Sequence, residues 1–378
     1  MLTRLLLLCI VGLGGCAGSA DNTEPPAPLV NFKSTLTLKT LWTAYAGGGT
    51  GDGYFKLAPV FYNDEIFTAS KEGHLRAFNF KDGKQKWGQK IDVPISSGPG
   101  IGEGLVLVGT QKGDVVAFSD TDGTEQWRAQ VSSEILAKPI INQGIVVVRT
   151  GDGKLFGLDS KTGEHLWIYE RSRLPLLSLR GTSTPIVGQE SILAGFDNGK
   201  IALLELDTGK VIWEAAVAIS RGRSELERMV DIDADPLLIG NMVYVTSYQG
   251  RTVAIDLTKG KLLWEREISS YTGLDADIDY LYVSDTKSHI WALDRYSGED
   301  WWKQEKLQAR FVTAPVSIGD YVVVGDIEGY LHWLHREDGQ FIGRYRIGKA
   351  SITVPPLVVN DILIAFNSKG DIVALRSE

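Results

Sequence analysis

Short apolar runs flanked by turn-forming residues recur along the chain. Residues 65–70, 105–110, 243–247 and 321–325 are typical, because each is rich in β-branched or aromatic side chains and lies next to glycine or aspartate. Runs of this length and composition predict β-strands. Apart from residues 225–229, no segment after residue 34 shows a convincing helical period. The pattern therefore predicts an all-β protein.

A repeat of about 40 residues organises these strands. Each unit has a proline, a turn glycine fourteen residues later and a tryptophan fourteen residues after that: Pro59, Pro99, Pro139, Pro185, Pro236, Pro315 and Pro356; Gly73, Gly113, Gly153, Gly199, Gly250, Gly329 and Gly370; Trp87, Trp127, Trp167, Trp213, Trp264 and Trp302. Leu274 and Ser288 replace the proline and glycine of one unit, and Gly343 stands where a later tryptophan is expected. Hairpin turns within each unit separate four short strands, and four such strands form the blade of a β-propeller.

The two ends of the chain set the number of blades. The last unit stops at Glu378, after its third strand, and residues 36–45 carry Trp42 in the place expected for the missing outer strand. Pairing these ends would leave no open sheet edge at the junction. The prediction is an eight-bladed β-propeller of four-stranded antiparallel blades over residues 35–378, with the ring closed by an N-terminal strand.

The first residues predict export and a lipid anchor. After Arg4, an apolar run leads to the sequence L-G-G-C, which is typical of a secretory signal peptide and resembles the bacterial lipobox. We therefore expect residues 1–15 to be a lipoprotein signal peptide, Cys16 to be lipidated and residues 16–34 to be a flexible tether. By the sorting pattern of the lipoproteins that this start resembles, Ala17 rather than Asp after the cysteine implies the outer membrane. The alternative is an ordinary signal peptide that happens to contain a cysteine.

Composition narrows the possible partners. The formal net charge of −8 suits a protein body in the periplasm and argues against general nucleic-acid binding, which requires a basic face. With Cys9 removed and Cys16 lipidated, no thiol remains for a disulfide framework or a thiolate metal site. We predict no cofactor and no metal.

The connections between blades differ in length, whereas the spacing within the repeat does not. The two longest run from Trp167 to Pro185 and from Trp213 to Pro236, at 18 and 23 residues. The first contains leucines beside arginines, which suits a protein-binding surface because it offers apolar anchors next to a planar cation. Packing of these leucines onto their own blade is an equally open interpretation.

The sequence N-G-K-I-A-L-L-E-L-D-T-G-K-V-I-W (residues 198–213) resembles the quinoprotein-type propeller repeat. Enzymes with this repeat resemble one another in a vicinal disulfide and a calcium-held quinone, and the disulfide is impossible in this chain. The sequence also lacks G-x-S-x-G, H-E-x-x-H and phosphate-loop motifs. We therefore expect no enzymatic activity and no catalytic residue.

A second hypothesis is a periplasmic module that binds a sugar, peptidoglycan or a peptide. Such a site needs exposed aromatic side chains that converge on a pocket. Trp291, Trp301 and Trp333 stand outside the repeat's tryptophan position, so they are the candidates for surface aromatics. Exposure of these three tryptophans would favour this hypothesis over a protein-binding surface on the long connections.

Three segments together resemble the BamB family of propeller lipoproteins: L-P-L-L-S-L-R-G, D-I-D-A-D-P and G-D-I-E-G-Y-L-H-W (residues 325–333). The resemblance implies a non-enzymatic scaffold in the machine that inserts outer-membrane β-barrels. It implies that the two long connections contact a periplasmic POTRA domain of the central barrel subunit, BamA. Unfolded outer-membrane proteins, pairing with a blade edge, are a further hypothesis, and no edge is singled out by the sequence.

The same resemblance carries partner-binding roles to individual residues. In the first long connection these are Leu177, Leu179 and Arg180, and in the second they are Asp231 and Asp233. The leucines would bury apolar area on the partner, and Arg180 would bind a carboxylate or a carbonyl. For the two aspartates, direct contact with the partner and support of Arg180 both remain open.

Overall fold

Eight four-stranded antiparallel sheets form the structure, and all eight follow the same strand order. This computed structural model describes residues 24–51, 55–170, 177–179, 183–220 and 222–378. Each sheet is one blade of a propeller, so the predicted fold class is confirmed. Among the described residues, no helix is long and apolar enough to cross a bilayer.

Blade 8 takes its outer strand, β1 (Leu38–Tyr45), from the N-terminal end of the ring. From the axis outwards, blades 1 and 2 contain β2 (Val60–Tyr62), β3 (Glu65–Ala69), β4 (His74–Asn79), β5 (Gln85–Lys90), β6 (Gly100–Gly102), β7 (Leu105–Gly109), β8 (Asp114–Ser119) and β9 (Glu125–Gln130). Blades 3 and 4 contain β10 (Ile140–Asn142), β11 (Ile145–Arg149), β12 (Leu155–Asp159), β13 (His165–Tyr169), β14 (Ile186–Val187), β15 (Ser191–Gly195), β16 (Lys200–Glu205) and β17 (Val211–Ala216). Blades 5 and 6 contain β18 (Leu237–Ile239), β19 (Met242–Thr246), β20 (Thr252–Asp256), β21 (Lys261–Arg266), β22 (Gly273–Ala276), β23 (Tyr280–Ser284), β24 (Ile290–Asp294) and β25 (Asp300–Gln304). Blades 7 and 8 contain β26 (Val316–Ile318), β27 (Tyr321–Gly325), β28 (Tyr330–His335), β29 (Phe341–Arg346), β30 (Leu357–Val359), β31 (Ile362–Phe366) and β32 (Asp371–Ser377).

The first strand of each blade lies next to the axis. Contacts between first strands link neighbouring blades, and β2 of blade 1 also contacts β30 of blade 8, which closes the circle. Because the strands alternate in direction, the connections between blades and the turns between second and third strands emerge on the same side of the ring. We call this side the loop face.

The hydrophobic core lies between blades. One cluster, for example, joins Leu107 and Val115 of blade 2 to Val146 and Val148 of blade 3. The middle strands are therefore covered on both faces, and β11 is buried along its whole length. This explains why these strands are continuous apolar runs, since a strand buried on both sides has no polar face.

A tryptophan on seven of the eight outer strands packs against a turn of the next blade. Trp127 lies over Gly163, where an added Cβ would stand 2.6 Å from the ring, and its indole N–H donates to the carbonyl of Ser160 at 2.8 Å. Gly163 has a φ of +74°, so glycine satisfies both the close approach and the left-handed turn. The same contact joins six further pairs: Trp42 and Gly83, Trp87 and Gly123, Trp167 and Gly209, Trp213 and Gly260, Trp264 and Gly298, Trp302 and Gly339.

Blade 7 meets blade 8 without this tryptophan. Gly343 occupies the position, and the side chain of Leu36 fills the space, 3.2 Å from where a Cβ on Gly343 would lie. The N–H groups of Thr35 and Leu36 both donate to the carbonyl of Ile342, at 3.0 and 3.2 Å. Blade 8 is completed by two chain ends rather than by a turn, so it offers no turn glycine for a tryptophan to cover.

Ring closure follows the predicted scheme. β1 pairs antiparallel with β32, from Leu38 opposite Ser377 to Tyr45 opposite Asp371. A bulge between Thr40 and Trp42 interrupts the register, and the outer pair of every other blade has a bulge before its tryptophan or Gly343. The expected closing strand is therefore confirmed.

The neighbouring residues Trp301 and Trp302 allow the packing contact to be tested. Both indole N–H groups donate to a backbone carbonyl of blade 7, but only Trp302 packs on a turn glycine, whereas Trp301 is 56% exposed. We expect Trp302→Ala to lower the free energy of unfolding by about 3 kcal/mol because it opens a cavity between two blades. Trp301→Ala is the matched control, with an expected loss below about 1 kcal/mol. Urea unfolding measures both, and equal losses would contradict the packing account.

Candidate functional site

The two long connections meet on the loop face. The first follows β13 and the second follows β17, so they leave adjacent blades on the same side of the ring. The backbone N–H of Leu179 in the first connection donates to the carboxylate of Asp231 in the second. This bond brings together two segments that the sequence had proposed as one binding surface.

Leu177 presents the clearest apolar side chain of the first connection. It is 48% exposed, whereas Leu179 is half-buried beside its bond to Asp231. Arg180 and Cys16 lie outside the described residues. The structure therefore places one predicted leucine at the surface and uses the backbone of the other to join the connections.

The two predicted aspartates are buried. Asp231 is fully inaccessible, and its carbonyl accepts a hydrogen bond from the N–H of Tyr248 at 2.9 Å. Asp233 is 3% exposed, and its carbonyl accepts a hydrogen bond from the ammonium of Lys56 in blade 1. Between them, Ile232 packs against Gly195 in the core of blades 4 and 5. The second connection is therefore held into the ring by this acidic segment.

A buried ion pair that was not predicted from the sequence lies next to these aspartates. Arg149, at the end of β11, donates from Nη2 to Oδ1 of Asp197 at 2.6 Å and from Nη1 to the carbonyl of Ser183 at 3.4 Å. Both side chains of the pair are buried. The sequence does mark this pair. The residue at the end of the second strand is an arginine in blade 3, whereas it is uncharged in the other seven blades, for example Gly109 and Gly195.

Electrostatics favour a supporting role for Asp231. Its burial raises the pKa of the carboxyl to about 8, and the charges of Asp233 and Asp197 act in the same direction. The N–H of Leu179 and the guanidinium of Arg149 oppose this rise. A carboxyl that is mostly protonated at neutral pH offers a partner little charge, but it still accepts the hydrogen bond that holds the first connection.

The second connection has its own exposed apolar side chains. Ile219 and Leu226 are each 61% exposed. The turn that carries Leu226 is held by Glu227, whose carboxylate accepts the N–H of Arg223 at 2.7 Å, and by Arg228, which pairs with Glu225 at 3.1 Å. Neither of these two apolar residues was predicted from the sequence to be a site residue. We call Leu177, Ile219 and Leu226 the loop-face patch.

The loop-face patch suits protein binding rather than catalysis. Exposed aliphatic side chains on loops fixed by a rigid ring are typical of interaction surfaces. Over the part of the chain that the structure describes, no group of three His, Cys, Asp or Glu side chains is arranged to hold a metal ion.

The three candidate surface tryptophans do not form a pocket. Trp333 is buried in the core, at 2% exposure, and Trp291 is half-buried and donates to Asp285. Only Trp301 is largely exposed. A cavity of about 360 Å³ on the axis is lined by residues of all eight blades, and none of its described lining residues is aromatic. The sugar-binding hypothesis gains no support from this arrangement.

Comparison with known proteins agrees with the geometry. A family model described as outer membrane protein assembly factor BamB matches residues 71–304. The protein of that name from Pseudomonas aeruginosa is 48% identical over 369 residues, covering 98% of this chain and 97% of that protein. The crystal structure of BamB from Moraxella catarrhalis superposes with a TM-score of 0.82 at 28% identity, covering 90% of this chain and 100% of that one.

The quinoprotein likeness concerns the fold alone. A quinohemoprotein alcohol dehydrogenase from Comamonas testosteroni has a TM-score of 0.71 but only 12% identity, covering 90% of this chain and 76% of that one. Shared blades do not transfer an activity. The family model and the near full-length similarity favour an assembly factor over an enzyme. This chain belongs to the BamB family of outer membrane protein assembly factors.

Proposed function

We propose that this protein is a lipid-anchored scaffold of the β-barrel assembly (BAM) complex that binds the POTRA domains of BamA through its loop face. The observation that carries the proposal is the exposure of Leu177 on a connection fixed by the bond between Leu179 and Asp231. A binding loop that is already held in place loses less conformational entropy on association. The scaffold would thereby assist the folding and insertion of outer-membrane β-barrel proteins.

Apolar contact would supply most of the affinity. Full coverage of a leucine by a partner is worth roughly 1.5–3 kcal/mol. Leu177, Ile219 and Leu226 are the side chains with area left to bury. Arg180 would add a directed hydrogen bond to a carboxylate or carbonyl, while Asp231 and Asp233 would support the loops from within.

Anchorage would come from the N-terminus. Lipidation of Cys16, after removal of residues 1–15, would attach the protein to the outer membrane with the propeller on the periplasmic side. The lipobox-like sequence supports this proposal.

Two blade edges favour a second partner, unfolded outer-membrane proteins. The outer strand of blade 3 exposes Leu166 and Ile168, at 51% and 55%, and that of blade 4 exposes Val211 and Ile212. The outer strand of blade 2 instead has only polar residues around its tryptophan, apart from a half-buried alanine. The outer strand of blade 3 contains no Asp, Glu, Lys or Arg, and that of blade 4 contains only Glu214. An apolar edge with few charges can accept an extended strand. We propose that blades 3 and 4 bind such segments.

The first test concerns Leu177. Leu177→Asp is expected to weaken binding of the mature chain to the periplasmic POTRA domains of BamA about tenfold or more, or about 1.4 kcal/mol, because it places a charge in an apolar contact. Leu263→Asp is a matched control, since Leu263 is 49% exposed on the outer strand of blade 5. Calorimetry measures both. Equal weakening by the two substitutions would move the binding site away from the loop face.

The role of Asp231 can be tested separately. Asp231→Asn keeps an oxygen for the N–H of Leu179 and removes the ionisable group, so we expect POTRA binding within about twofold of wild type. Asp231→Ala removes the acceptor and is expected to weaken binding about tenfold, at the cost of one buried hydrogen bond to a backbone donor. Should the asparagine variant lose as much affinity as the alanine variant, the aspartate would act through its charge.

The edge proposal predicts a difference between blades. A labelled ten-residue peptide of alternating valine and threonine serves as the probe, with binding followed by fluorescence polarisation. We expect the double variant Ile168→Lys, Ile212→Lys to weaken its binding at least about tenfold, because a lysine on each edge opposes strand addition. Gln126→Lys on the polar edge of blade 2 is the control and should change nothing. Equal peptide binding by all three proteins would refute the edge assignment without affecting the POTRA proposal.

A further inference from the structure

Residues 24–34, which the sequence assigns to the tether, lie against blade 7. Near one end, the N–H of Ala27 donates to the carbonyl of Gln308 at 3.0 Å, and the amide of Gln308 donates to Glu24 at 2.6 Å. Near the other end, the ring of Phe32 stacks on Phe341 with centroids 5.6 Å apart. We call residues 24–34 the strap.

Two arginines of the ring hold the middle of the strap. Arg310 donates from Nη1 to the carbonyl of Ala27 at 2.8 Å. Arg344, on β29, donates from Nη1 to the carbonyl of Val30 at 3.1 Å, and its guanidinium lies 5.0 Å from the centre of the Phe32 ring. Hydrogen bonds from a charged donor are among the stronger ones in proteins, so these contacts define where the strap lies.

A buried chain of polar groups connects the two arginines. Arg310 donates from Nε to Oδ2 of Asp326 at 2.7 Å, and Nε2 of His332 lies 2.8 Å from the same oxygen. Arg344 donates from Nε to Nδ1 of His332 at 3.3 Å. Because Nδ1 accepts, the ring proton of a neutral His332 sits on Nε2 and is donated to Asp326. Burial lowers the pKa of His332, which agrees with a neutral ring.

This arrangement gives a structural role to the segment G-D-I-E-G-Y-L-H-W. Asp326 and His332 form the buried link, and Glu328 accepts a second hydrogen bond from Arg310. These groups belong to blade 7 and to the connection that precedes it, whereas the loop-face patch belongs to the connections after blades 3 and 4. In blade 2, the residue equivalent to Arg344 is Arg128, which pairs instead with Glu125 of its own strand.

We propose that the strap is a docked segment that shortens the lipid tether and sets which flank of the propeller lies nearest the membrane. This inference rests on the proposed lipidation of Cys16. With the strap docked, residues 17–23 alone separate the anchor from the ring, a reach of about 25 Å when fully extended. Undocked, residues 17–34 would allow about 60 Å. The strap therefore removes most of the freedom of the tether.

Docking also fixes the exit point. Glu24 lies beside Gln308, in the connection from blade 6 to blade 7, and this connection belongs to the loop face. The anchor thus leaves the ring from the face that carries the proposed BamA contacts, but from blades 6 and 7 rather than from blades 3 to 5. Membrane attachment and partner binding would occupy separate sectors of one face.

The docked state is tested by proteolysis of the full mature chain. Lys33 is exposed within the strap, and trypsin needs the surrounding backbone to leave blade 7 before it can cut there. We expect Arg344→Ala and Phe32→Ala each to speed cleavage after Lys33 at least about tenfold, the latter without altering any residue of the ring. Arg128→Ala, the equivalent position in blade 2, should leave the rate unchanged. Wild-type rates in both strap variants would overturn the proposal.

The tether length is tested with the lipidated protein in liposomes. A dye on Lys349→Cys, an exposed site on the loop face of blade 7, reports energy transfer to acceptor lipids. We expect transfer to fall in the Phe32→Ala, Arg344→Ala double variant and to stay unchanged in Arg128→Ala. Unchanged transfer in the double variant would overturn the tether inference. Absence of membrane attachment in every protein would instead refute lipidation, while proteolysis would still report strap docking.

Discussion

The contact between a tryptophan and a turn glycine of the next blade is the constraint on which this ring depends. It fixes the distance between blades at seven of the eight junctions, and it requires both the glycine and the length of the hairpin that presents the indole. An insertion within that hairpin would move the indole away from the turn glycine of the next blade. Length variation is therefore confined to the connections on the loop face, and this is where the chain carries its exposed apolar loops.

That same constraint explains how much of the fold the sequence reveals. Proline, glycine and tryptophan at constant spacing determine the register of most blades, and Trp42, ahead of the first repeat proline Pro59, identifies the closing strand. The burial of individual side chains is harder to predict from the sequence. Trp301 and Trp302 are adjacent in sequence, yet the bulge turns the first outwards, and Trp333 is buried because it belongs to a middle strand.

Part of the candidate site follows from the sequence, but its detail does not. Loop lengths singled out the loop face, and on that face the side chain of Leu177 is exposed. Asp231 and Asp233 belong to an acidic run that suggests a solvated surface, but Ile232 between them must enter the core and takes both neighbours with it. The partners of Arg149 and of the strap arginines come from distant segments, so only tertiary packing reveals them.

Closure of the ring by β1 and β32 has a consequence for biogenesis. The paired residues Leu38 and Ser377 stand at opposite ends of the chain, so joining them costs chain entropy on the order of 5 kcal/mol. The N-terminal strand is synthesised first and has no partner until β32 has been made. The last blade therefore forms only after the rest of the ring has been synthesised, and loss of β32 would leave two strands, β1 and β31, each with an unpaired edge.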